Sequence, residues 1–146
     1  MSEKPLNILQ KAFALNINHN CYGTIAEIGA GQEVSRFFFR AGGAGGTVAK
    51  TISAYDMSFS DAIYGEEENK RYLTEKRLKK MLDKEFKLVL ERVSSLRPET
   101  STYFAFADTV TARSYSQRGE SHGWLGIKFQ LTPGAKPSEI LIHIRM

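Results

Sequence analysis

Glu27-Ile28-Gly29-Ala30-Gly31 is the run in this 146-residue chain that most resembles a chemical motif. An acidic residue after a β-branched stretch, followed by spaced glycines, opens many nucleotide-binding loops, because glycine lets backbone approach a phosphate closely. The match stops there. Gln32, Glu33 and Val34 follow, so the third glycine of the methyltransferase-type run and of the dinucleotide pattern is missing. A second glycine turn, Gly42 to Gly46, precedes Lys50-Thr51 in the manner of a phosphate loop, but Ala49 stands where glycine must precede the lysine. What remains is glycine backbone with Arg36, Arg40 and Lys50 close in sequence. Arg36 and Arg40 are four apart and share a helix face, where two cations side by side call for an anion. The expectation is a phosphorylated small molecule or nucleotide held by Gly29, Gly31, Arg36, Arg40, Lys50 and Arg113. The simpler alternative is a tight strand-to-helix turn, with Glu33 or another internal acid answering the arginines.

Acid–base candidates are few: Glu27, Asp108 and His122. Asp108 interrupts an otherwise apolar and Thr-rich run, and an internal pair with Arg113 is the bland reading. Arg113, Ser114, Ser116, Arg118 and His122 populate one polar loop suited to an anionic or sugar-like ligand. His19, His122 and His143 show no metal-ligand spacing with one another or with Cys21, so no metal is expected. Whether the chain catalyses anything, and with which cofactor, is not specified by these residues.

Composition narrows the setting. Net charge is +4, but the basic residues are spread along the chain, so nucleic acid is not the expected partner. A single cysteine rules out an intrachain disulfide and fits a reducing, cytoplasmic environment. No apolar run is long enough for a membrane span.

The elements that must position these residues read as one domain over 1–146, α+β in class. Leu6, Leu9, Phe13 and Ile17 share a helical stripe. Thr24 to Ile28 reads as a strand, and Val34 to Gly42 as a helix. Its three consecutive phenylalanines, Phe37 to Phe39, cannot share one face, which predicts burial on two sides or a place at an interface. The run 47–55 fits strand or helix equally, and Glu66-Glu67-Glu68 reads as a solvated loop. Thr74 caps a long amphipathic helix with Leu78, Leu82, Phe86, Leu90 and Val93 on one stripe, widened by Met81 and Val89, that ends at Arg97-Pro98. Thr102 to Ala112 reads as a strand by its aromatic and β-branched composition, and Trp124 to Leu131 and Ser138 to Met146 alternate as strands forming a hairpin. The predicted architecture is an antiparallel sheet packed against the long helix, with a glycine-rich strand-turn-helix segment. A second functional reading makes Phe37–Phe39 and the last strand a structural or self-assembly surface, giving a homo-oligomer.

The segments EIGAGQEVSRFFFRAGGAGGTVAKTISAYDMSFSDAIYG, FAFADTVTARSYS, HGWLGIKFQ and SEILIHIRM together resemble the front part of a family of longer bacterial proteins. Names in circulation for that family are TonB-dependent receptor and nicotinate-nucleotide adenylyltransferase. Neither has a counterpart in these residues, which lack outer-membrane strand patterning and the paired histidines of an adenylyltransferase phosphate motif. The resemblance implies a bacterial cytosolic protein whose chain continues past Met146, and it transfers no catalytic residue.

Overall fold

The computed structural model describes residues 3–111 and 122–145. Its five strands are β1 (Cys21–Gly29), β2 (Val48–Ala54), β3 (Thr102–Val110), β4 (His122–Phe129) and β5 (Ser138–Arg145). They form one sheet in the order β2-β1-β3-β4-β5. The C-terminal meander is as predicted: β3, β4 and β5 are antiparallel, with Phe106 opposite Ile127 and Ile127 opposite Ile140. The expected wholly antiparallel sheet is corrected at the other end, where β1 runs parallel to both β2 and β3. A strand flanked by parallel neighbours is covered on both faces and carries no alternation to read. Gly23 through Ile28 are accordingly all buried. The ambiguous run 47–55 supplies β2, an outer strand whose mixed composition suits an edge.

Among the described residues four α-helices complete the fold: α1 (Ile8–Asn18), α2 (Val34–Ala41), α3 (Met57–Tyr64) and α4 (Glu75–Val93). Helix α4 begins where predicted, with the Thr74 hydroxyl accepting from Arg77 N at 3.1 Å. Leu78, Met81, Leu82, Phe86 and Val89 pack on Ala26, Ala105 and Ala107 of the sheet. Alanines on the strands let the larger helix side chains fill the space between layers. The same stripe buries two charges, Arg77 and Glu85, which helical periodicity does not flag. Asp56 caps α3 through a 2.9 Å bond from Phe59 N.

Helices α1 and α2 lie on the opposite face, and both correct the sequence reading. Helix α1 docks through Ala12 and Asn16, not through its apolar stripe. Asn16 Nδ2 donates to Phe38 O and Gly42 O, which ties α1 to the end of α2. Leu6, Leu9, Phe13 and Ile17 are left exposed. No residue of α2 is fully buried, so the expected two-sided burial of Phe37–Phe39 fails. Phe38 faces the sheet beside Ile25 and Phe104, whereas Phe39 points to solvent.

Candidate functional site

In a sheet ordered 2-1-3, successive connections leave β1 and β2 toward opposite faces, and a crevice opens at the carboxyl ends between β1 and β3. Here α2 follows β1 on one face, while α4, reached after β2, covers the other. Glu27 and Asp108 sit at that junction, paired in register on adjacent strands.

On the α2 side the glycine turn is organised by Glu27. Its carboxylate accepts from Val34 N at 2.8 Å, Ser35 N at 3.2 Å and the Ser35 hydroxyl at 2.9 Å. The residue at the start of α2, Glu33, makes no side-chain cap bond, so Glu27 caps the helix from the strand below. The positive end of α2 therefore already holds a carboxylate. Asp108 lies against the same turn: a Cβ built on Gly31 would fall 2.1 Å from its Oδ1. Gly31 is required there because any side chain would occupy the carboxyl group's place. Burial first, and then the neighbouring Glu27 carboxylate, push the Asp108 carboxyl up to about 9. Asp108 thus holds its proton at neutral pH, with Oδ1 buried and unpartnered among the described residues. The protonated Asp108 carboxyl can donate to the Glu27 carboxylate beside it.

Around the end of the sheet, on the α4 side, lies a crevice of about 540 Å³. Gly29, Tyr55, Lys70, Tyr72 and Thr109 are among its lining. Gly29 adopts φ 75°, which turns the chain over the strand end without a side chain in the opening. Tyr55 is 71% exposed, and Lys70 is exposed on the segment between α3 and α4. That segment is fastened from beneath by Arg77, itself 1% exposed. Arg77 donates to Gly65 O at 2.5 Å and to Ser60 Oγ at 2.8 Å, and pairs with Glu67 at 3.3 Å and Asp61 at 3.4 Å. Glu67 also holds Lys80 at 2.8 Å, so part of the predicted solvated loop is a buried counter-charge.

The sequence-derived anion set is not gathered in one place. Arg36 is exposed and lies 3.8 Å from Glu33, the simple partner anticipated above. Arg40 lies beside α1, next to Leu6 and Phe13. Lys50 points to the other face, where it pairs with the buried Glu85 at 2.6 Å. Gly29 and Gly31 stand at the junction, and Arg113 lies outside the described residues. His122 is on the sheet face opposite Asp108, with Nδ1 3.2 Å from His143 Nε2, and Trp124 stacks on His143. Among the described residues no three His, Cys, Asp or Glu side chains converge as metal ligands. Nor is any helix there long and apolar enough to cross a membrane. Sequence reasoning missed Tyr55, Lys70 and Tyr72. Only the strand order, which depends on parallel pairing, would have pointed to them.

No protein-family model matches the chain, and no curated protein matches it. Solved structures do. A competence-damaged protein (CinA) superfamily protein from Enterobacter cloacae superposes with TM-score 0.61 at 10% identity, covering 100% of this chain and 82% of that one. The competence/damage-inducible protein CihA from Agrobacterium tumefaciens gives 0.59 at 17% identity, covering 100% and 84%. A CinA superfamily protein from Escherichia coli gives 0.57 at 12%, covering 94% and 77%. The chain has the α+β fold of these CinA-type structures.

Proposed function

We propose that this chain is a small-molecule-binding domain whose ligand, a phosphorylated compound or nucleotide, enters the crevice at the carboxyl ends of β1 and β3. The observation that carries this reading is the 2-1-3 strand order with an open crevice at its junction. Tyr55 and Tyr72 offer aromatic faces for a planar base, and Lys70 offers a compact charge for a phosphate. The α2 terminus is a poor alternative seat, since Glu27 fills it and would repel a second anion. Glu27 and Asp108 remain the acid–base candidates of the junction, on the face of the sheet away from this crevice.

The reading is tested by thermal shift and NMR titration with AMP, ribose 5-phosphate and inorganic phosphate. Wild type should bind a phosphorylated probe, and Tyr55→Ala/Lys70→Ala should weaken it by about tenfold, the worth of one charge-assisted contact. Arg36→Ala/Arg40→Ala should bind as wild type does. No response to any probe, or a loss confined to the arginine variant, would refute this placement.

A second reading, self-association, is favoured by a specific observation. Leu6, Phe13, Ile17 and Phe39 are between 47% and 54% exposed, and the first three line one shallow groove along α1. Light scattering over a concentration series decides it: a constant monomer mass removes self-association.

A further inference from the structure

Behind the sheet from the glycine turns, a cleft of about 420 Å³ opens between α4 and β2. It is separate from the crevice at the strand ends. Its walls are aliphatic, formed by Ala49, Leu88, Val89 and Val93, with no aromatic ring among the lining residues. Two cations, Lys50 and Arg92, also line it. At its base lies Glu85, fully buried.

Glu85 is completely engaged. It accepts from the Tyr64 hydroxyl at 2.9 Å and the Thr24 hydroxyl at 3.3 Å, and Lys50 Nζ lies 2.6 Å from Oε2. Burial, and then the adjoining Glu85 charge, push the Tyr64 phenol up, so it stays a donor. Lys50 is not exhausted by this contact. Its ammonium has three donors, and its side chain is 43% exposed. Arg92 forms no ion pair among the described residues, and it is exposed. With Glu85 counted, the cleft carries a net single positive charge beside an aliphatic slot.

We propose that this cleft binds a medium-chain aliphatic carboxylate, with the head group between Lys50 and Arg92 and the chain along Leu88, Val89 and Val93. A dianionic phosphate fits less well, because buried Glu85 already offsets one of the two cations. The volume accommodates a chain of about eight to ten carbons. Lys50, grouped by sequence with the glycine turns, thus acts on the other face of the sheet.

Titration of the full chain with octanoate, followed by amide NMR, tests the assignment, with 1-octanol as the uncharged control. Octanoate should shift Ala49, Lys50, Leu88 and Val93, and octanol should bind about tenfold more weakly. Arg92→Ala, an exposed change that leaves the core intact, should weaken octanoate by a similar factor. Leu88→Asp should abolish the shifts. The assignment is overturned by equal affinity for octanoate and octanol, or by unchanged affinity in Arg92→Ala. Shifts confined to the exposed apolar residues of α1 or β5 would overturn it too. None of these outcomes bears on Tyr55 or Lys70, so success or failure here is independent of the crevice.

Discussion

Replacing Arg77 by Met is expected to cost about 3–5 kcal/mol of stability, the usual penalty for removing one partner of a buried charge network. In urea this would appear as a midpoint lowered by about 2 M with little change in slope. The size follows from what is stranded. Gly65 O and Ser60 Oγ lose their donor, and Asp61 and Glu67 lose the guanidinium between them. Lys80 still reaches Glu67, so the loss is not total. Arg77→Lys should recover less than half, because a single ammonium cannot span four acceptors. A loss below about 1 kcal/mol would sink the claim that this network fastens α3 and the following segment to α4. Because that segment carries Lys70 and Tyr72, the destabilised variant should also bind phosphorylated probes more weakly.

Asp108→Asn is expected to stabilise the protein at neutral pH. Its native carboxyl, pushed up to about 9 from 3.8, keeps a proton that the unfolded chain has released. Between those values the folded state binds more protons than the unfolded state, so stability falls as pH rises. The stabilising share of this group is complete below about pH 4 and is lost as pH climbs through about 9. Asparagine keeps a donor toward Glu27 without a proton to lose. The gain at pH 7 is on the order of 1–4 kcal/mol, and the variant's stability should be flatter between pH 5 and 9. Denaturant midpoints across that range measure it. A wild-type curve that rises with pH, or a variant less stable at pH 7, would contradict a protonated Asp108 at the junction.

Much of the fold could be read in the chain, and the exceptions have a common physical cause. The α4 stripe and the alternation of β4 and β5 follow from one-sided burial, which leaves a period in the sequence. Strand β1 is buried on both faces and leaves none, so its parallel partners were invisible. With them went the strand order that locates the crevice. Helical periodicity does not flag Arg77 and Glu85, and Glu67 reads as part of a solvated loop, because their partners lie on other elements and only tertiary packing makes them internal. The sequence points to the glycine turn through Glu27, Gly29 and Gly31, and Asp108, read from the sequence as a partner of Arg113, packs against that turn. The turn, however, accommodates an internal carboxyl pair, while the cations thought to surround it disperse to three separate surroundings.

The parallel pairing of β1 with β3 also shapes how the chain must fold. Cys21 lies opposite Thr102, about eighty residues later, and every rung of this ladder requires closing a loop of that size. During synthesis the most enclosed strand of the protein emerges early and waits, flanked at best by β2, until β3 has been made. For that interval Ile25 and Ile28 have no β3 beside them. Non-local ladders of this kind set slow folding rates, whereas the β4–β5 hairpin can close almost at once. The chain's vulnerable period therefore falls before its last third is translated, and its aggregation in a cell would depend on translation speed and chaperone supply more than on the stability of the finished sheet.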